Sequence, residues 1–148
     1  MAEVFYRGVH QIADEYAGDA SRIWAGSPSC DTVRRRFLSV HGAGPKIASM
    51  AVNILVRDLK VPLTDRRSLD VALDVHTRRV LKRTGLVPAG AEDSEMLQAA
   101  RLIGPDYPGL LDLPLWEIGR ETCHEVGPGC RRCRLGKHCP SAGRRRGG

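Results

Sequence analysis

A chain of 148 residues, 42% hydrophobic and 27% charged, is long enough for one domain or slightly more with its own hydrophobic core. No apolar run approaches the roughly 18 residues of a membrane span. The opening MAEVFYRGVHQIADEY lacks the basic-then-apolar order of a signal peptide, so the expected location is cytoplasmic. The net charge of +6 is unevenly placed: the first 119 residues hold 15 basic and 15 acidic side chains, the last 29 hold 8 and 2. A basic C-terminal region of this kind suits phosphates, although Arg144, Arg145 and Arg146 read equally well as a solvated tail.

In chain order, Phe5, Val9, Ile12 and Tyr16 recur at helical spacing and predict an amphipathic helix, stopped by Gly18 and Asp19. A short apolar stretch at Ile23 and Trp24 follows, and Gly26-Ser27-Pro28-Ser29 breaks the chain. Asp31 is expected to cap a basic helix running through Arg34, Arg35 and Arg36 to Val40. His41-Gly42-Ala43-Gly44-Pro45 reads as a tight hairpin, since its glycines allow unusual backbone angles and Pro45 suits the first turn of a helix. That helix, Lys46 to about Leu59, carries Ile47, Met50, Ala51, Ile54 and Leu55 on one face. Lys60 to Ser68 is polar and broken by Pro62, and reads as a loop bulging outward. Asp74 and Thr77 open a further helix to Arg83, ended by Gly85; helical patterns continue at about Asp93–Ile103 and Leu110–Thr122. Period-2 alternation is absent, so the expected fold class is all-α.

Four of the five cysteines, Cys123, Cys130, Cys133 and Cys139, follow the last helical pattern with the spacing C-x6-C-x2-C-x5-C; Cys30 stands far from them. In a cytoplasmic chain such a group points to metal rather than disulfides. Structural zinc modules usually bring two well-separated C-x2-C knuckles, whereas here there is one. The spacing therefore favours an iron–sulfur cluster, with four thiolates at the corners of a cube, and leaves zinc as the alternative.

Interval for interval, this loop resembles the cluster loop of endonuclease III and the related adenine glycosylases, and Trp116-Glu117-Ile118-Gly119-Arg120-Glu121-Thr122-Cys123 resembles the helix leading into it. Phe37 to Ala48 resembles the helix-hairpin-helix of the same superfamily, with His41 where the family usually has proline. Asp74-Val75-His76-Thr77-Arg78-Arg79-Val80 resembles the segment bearing the family's catalytic aspartate.

The resemblance implies the all-α glycosylase fold of the helix-hairpin-helix-GPD superfamily. Its expected organisation here is a partial six-helix barrel lobe with the hairpin at 1–73, and a cluster lobe at 74–148 with the loop at 123–139 and a basic tail at 140–148. The implied function is base-excision repair: a DNA glycosylase with abasic-site (AP) lyase activity, acting on duplex DNA that carries a damaged base or abasic site, in a bacterial-type nucleoid setting. A [4Fe-4S] cluster would be held by Cys123, Cys130, Cys133 and Cys139. DNA contacts would come from His41, Gly42, Ala43 and Gly44 of the hairpin and from Arg131, Arg132, Arg134 and Lys137 of the loop, whose charge also screens the anionic cluster.

Lysine at position 46 marks the family members that cut both the glycosidic bond and the strand. A helix N-terminus suits a nucleophilic amine, because its dipole works against an ammonium there. Asp74 matches the catalytic aspartate and is also a good helix cap; Asp70 is a rival without the surrounding motif. His76 reads as a packing residue. Lys46 and Asp74 stand 28 positions apart, longer than in endonuclease III, with the extra length in the 60–68 segment.

Only about 40 residues precede the hairpin, roughly half of what the family supplies. The absent helices normally fill the barrel and line the base pocket, so exposed apolar surface is expected. A start internal to a longer frame, a minimal form covered by a partner or a second copy, and a paralogue that binds DNA without cutting it are the competing explanations. The alternative function is accordingly a non-catalytic iron–sulfur DNA-binding protein or subunit.

Overall fold

The computed structural model describes residues 2–143; Met1 and the tail residues Arg144, Arg145, Arg146, Gly147 and Gly148 lie outside the described residues. Among the described residues the regular structure is helical, with no strand and one isolated bridge between Ser29 and Thr64. None of these helices is long and apolar enough to cross a membrane. Internal packing divides the chain into two compact units, Met1–Leu69 and Asp70–Gly148.

The first unit opens with α1 (Ala2–Tyr16), stopped by Gly18 in the left-handed region at φ +76°. The helix forms where the periodicity predicts, yet it buries no residue: Phe5 is 75% exposed and Val9 stays exposed, while Ile12 and Tyr16 are half-buried. What α1 presents to the rest of the unit is the neighbouring face. Asp19 caps a short 3-10 turn, Ala20–Trp24, that buries Ile23.

α2 (Cys30–Ser39) is capped by the Ser29 hydroxyl, which accepts from the Thr32 amide at 3.1 Å. This corrects the expected cap at Asp31, which lies in the first turn and pairs instead with Arg34 and Arg35. The reason is geometric: the chain is still extended at Ser29, as an N-cap must be. α3 (Pro45–Arg57) begins after Gly44, with Pro45 at its first position, where its missing N–H leaves no bond unmade. It packs on α2, and Ala48, Val52, Asn53, Leu55 and Val56 are its buried residues. Of the apolar face read from the sequence, Leu55 is inside, but Ile47, Met50 and Ile54 are exposed.

The 60–68 segment is a largely exposed loop, as expected, but it is docked rather than loose. Leu63 is buried, the Thr64 amide donates to the Pro28 carbonyl at 3.1 Å, and the Thr64 carbonyl accepts from the Cys30 amide at 2.9 Å. Turn residues at Lys60 and Asp65, both at positive φ, fold the segment back on the start of α2. A polar, Pro-containing sequence concealed this because one apolar side chain and two backbone bonds are enough to dock it.

In the second unit, α4 (Val75–Arg83) ends at Gly85, whose φ of +75° reverses the chain. α5 (Asp93–Ile103) spans the residues its pattern predicts and opens with a Glu92–Glu95 capping box. The pattern at 110–122 resolves into a 3-10 turn, Pro108–Leu111, followed by α6 (Asp112–Glu121). Pro114 explains the break: lacking an N–H, it belongs in the first turn of a helix, so α6 starts just ahead of it. Val71, Val80, Leu81, Val87, Ala91, Met96, Ala100 and Leu115 form the core of this unit, and Ile118 and Cys123 pack against it. α4 and α6 come so close that a Cβ on Gly119 would lie 2.6 Å from His76 Cβ. A one-turn helix, α7 (Pro140–Gly143), follows the last cysteine.

Candidate functional site

The four clustered cysteines line one pocket, together with Val80, Arg83, Thr84, Ile118, Leu135 and Ala142 among others, and its walls are mostly apolar. α6 delivers the first of them: the Cys123 amide closes on the Ile118 carbonyl at 2.7 Å, and the side chain packs against the core. The next two come from a tight turn in which the Cys133 amide donates to the Cys130 carbonyl at 3.3 Å and the Gly136 amide to the Cys133 carbonyl at 2.9 Å. Gly136 has to be glycine here, since a Cβ would collide with the Cys130 carbonyl oxygen. The Cys139 thiol donates to the Arg83 carbonyl at 3.2 Å. Among the described residues no three His, Cys, Asp or Glu side chains draw together tightly enough for one metal ion.

Two arginines one helical turn apart on α4 hold the entrance of the loop. Arg79 donates from Nε to the Cys123 carbonyl at 2.7 Å and from Nη2 to the Gly119 carbonyl at 2.8 Å. Arg83 donates to the carbonyls of His124 and Glu125, and its Nη1 lies 3.6 Å from Cys123 Sγ. Neither was singled out from the sequence. The signal for them is weak, because their partners are backbone atoms some 40 positions away. Arg131, Arg132, Arg134 and Lys137 are exposed and line an open groove with Cys130 and Cys133, a cationic rim on the cysteine loop.

Asp74 caps α4. Its Oδ1 accepts from the amides of His76 at 2.9 Å and Thr77 at 2.8 Å, while the Thr77 hydroxyl accepts from the Asp74 amide at 2.7 Å. The stretch leading to it is pinned by Asp112, a buried carboxylate of α6 that accepts from the Ala72 amide at 3.0 Å. Asp112 is a third residue that sequence reasoning missed. The rival Asp70 is committed to a two-bond pair with Arg101 at 2.8 and 2.7 Å. His76 packs as expected, edge-on to Trp116 with its Nδ1 2.9 Å from Arg79 Nη2.

In the first unit the hairpin leaves α2 through Val40. The Ala43 amide donates to the Val40 carbonyl at 3.0 Å, and Gly42 sits at φ +87° with Val4 occupying the space a Cβ would need. His41 and Gly42 are exposed, and Ala43 and Gly44 half-buried. Lys46, also exposed, is the second residue of α3, at the N-terminal end where backbone amides and dipole favour anions. Lys46 and Asp74 belong to different units, and each is placed here within its own.

No family model matches the sequence, and none of the curated proteins does. Solved structures do. One is a trapped endonuclease III–DNA covalent intermediate, an estranged-adenine complex, with 22% identity over 95% of this chain and 57% of that one, at a TM-score of 0.64. Another is a non-covalent endonuclease III–DNA complex, with 23% identity over 90% of this chain and 53% of that one, at a TM-score of 0.61.

The chain has the endonuclease III fold.

It spans a little over half the length of each of those two endonuclease III chains. The sequence resemblance and the likeness in fold agree, and at this identity the likeness concerns the endonuclease III fold alone. Cys30 stays outside the site: it is 1% exposed in the first unit, and burial pushes its thiol above the usual range. It is a core residue and behaves as a small hydrophobe.

Proposed function

We propose that this protein is a base-excision DNA glycosylase with AP lyase activity that works on damaged or abasic duplex DNA in the cytoplasm. The observation that carries the reading is Lys46, an exposed lysine in the first turn of the helix leaving a Gly-Ala-Gly hairpin, in a chain with the endonuclease III fold. The solved structure of a trapped endonuclease III–DNA covalent intermediate supports a chemistry that passes through a protein–DNA bond.

In this mechanism the hairpin amides and the rim of Arg131, Arg132, Arg134 and Lys137 hold phosphates. The neutral Lys46 amine attacks C1′, the C1′–N bond breaks, and the base departs with a proton. Asp74 stabilises the positive charge that develops on the sugar and helps move protons. Opening of the sugar ring gives an imine between Lys46 and C1′. Loss of a C2′ proton then expels the 3′ phosphate, and water releases the lysine.

The cysteine pocket fits a [4Fe-4S] cluster by its donor set: four thiols from one short loop, an apolar wall, and a glycine where a side chain would collide. Cys123, Cys130, Cys133 and Cys139 would hold it, and when bound it would act as a structural staple for the basic loop. Thiolates on one zinc ion sit about 2.3 Å from the metal. Brown protein with broad visible absorbance, lost in Cys133→Ser, supports the cluster; colourless, zinc-containing protein overturns it.

Borohydride trapping on abasic-site DNA tests the activity. A covalent adduct formed by the parent and absent from Lys46→Ala is the expected result. The second reading, a DNA-binding iron–sulfur protein without catalysis, is favoured by the exposed apolar residues of α1, Val4, Phe5, Tyr6 and Val9, which a partner protein or a second copy would cover. Salt-sensitive DNA binding without any adduct would establish that reading instead.

A further inference from the structure

The departure of the hairpin from its family pattern has a physical cost. Proline fixes φ and carries no N–H, whereas His41 leaves its backbone angle loose and adds an amide that needs a partner. The structure supplies that partner from α1. Gln11 Oε1 accepts from the His41 amide at 2.8 Å, and Gln11 Nε2 donates to the Ser39 carbonyl at 2.8 Å. One carboxamide thus brackets Val40 from both sides, at the point where the chain leaves α2. The same nitrogen lies 2.9 Å from Glu15 Oε1, so the side chain is also steadied along its own helix.

The bracket belongs to one face of α1. Val4, Gly8 and Gln11 follow at helical spacing: Val4 sits behind Gly42, a Cβ on Gly8 would lie 3.5 Å from the His41 carbonyl oxygen, and Gln11 closes the entry. This is the face that α1 turns toward the hairpin.

We propose that Gln11 is a positioning residue for the hairpin, holding the turn from Ser39 to Gly44 in the form that receives a DNA phosphate. The inference rests on the reading that this hairpin contacts DNA, and it deepens that reading. Backbone amides bind an anion well only when they already converge. Without the bracket the hairpin populates other turns, and binding has to restore the competent one, which lowers apparent affinity by the fraction of competent molecules.

The test uses the full, iron-loaded chain and a duplex bearing a tetrahydrofuran abasic analogue, with affinity measured by fluorescence anisotropy across a salt series. Gln11→Met keeps length and helix propensity but removes both bonds. It is expected to weaken binding about tenfold, the scale of one or two net hydrogen bonds. The salt slope should stay the same, since the phosphates contacted do not change. Adding His41→Pro to Gln11→Met should recover most of the affinity, because proline fixes the angle and removes the orphan amide.

Parental affinity in Gln11→Met overturns the proposal. So does a loss that comes with a lowered melting temperature and is not recovered by His41→Pro, which is what a merely structural role predicts. A parent protein that fails to bind duplex DNA overturns the DNA reading and this inference with it, whereas a binding parent with an indifferent Gln11→Met overturns this inference alone.

Discussion

Asp74 holds a helix end and, in the proposed mechanism, also serves the reaction, and the two tasks can be separated at the level of one atom. The helix needs an acceptor at Oδ1 for the His76 and Thr77 amides. Asparagine supplies such an acceptor and caps about as well as aspartate, but carries no charge for a developing cation. Asp74→Asn should therefore change stability by less than about 1 kcal/mol, in line with the equal standing of the two residues as caps. It should slow base release and strand cleavage by about 10²- to 10⁴-fold. Denaturant unfolding and single-turnover kinetics measure the two effects. An active Asp74→Asn enzyme would remove Asp74 from the chemistry and leave it as a cap alone. At this scale the sequence was informative where a residue type has few alternatives, as with Asp74 before a helix and four cysteines in one loop. It was less so where neighbours compete for one role. Ser29 and Asp31 both cap helices well, and the backbone angle that chooses between them is not written in either residue.

Among the elements, α4 carries the most. Its N-terminus is Asp74, Arg79 and Arg83 hold the loop, and Arg78 joins it to α5 through a two-bond pair with Asp93 at 2.9 and 2.7 Å. The Arg78 hydrogen bond holds the Asp93 carboxyl below its usual range. A lowered carboxylate contributes stability that is fully present above the unfolded value, about 3.9, and lost as pH falls through the lower folded value. The pair is largely exposed and solvent-screened, so it is worth under about 1 kcal/mol. Melting curves should show the parent losing stability more steeply than Asp93→Asn between about pH 4 and pH 2. Equal slopes would mean that the pair contributes nothing. Helix existence was legible from periodicity, and α5 runs over the very residues its pattern names. Which face of a helix turns inward was not. α1 and α3 each carry more apolar positions than one contact can bury, and the packing partner decides among them. The 60–68 segment escaped for the converse reason, since its docking uses backbone atoms that every residue shares.

For the whole molecule, the division into Met1–Leu69 and Asp70–Gly148 places the hairpin lysine in one unit and the aspartate and cysteines in the other. Removal of the proposed cluster by a chelator should therefore act on the second unit. Hydrogen exchange is expected to lose protection at 126–139, where only the loop's own turns and the proposed cluster would hold it, and to leave residues 2–69 as they were. Uniform loss across both units would overturn that expectation. The fold was readable as a whole because its motifs are local and closely spaced. The ties from Arg79, Arg83 and Asp112 were not, because each spans some 40 positions and ends on the main chain. Those ties have a bearing on biogenesis. Arg79 and Arg83 grip carbonyl oxygens, which are present whatever the sulfurs carry. Packing of α4 on α6 thus seats the first cysteine unaided, and a cluster of the proposed kind could be delivered late, to a polypeptide that has already acquired its shape and waits only for the remaining corners to close.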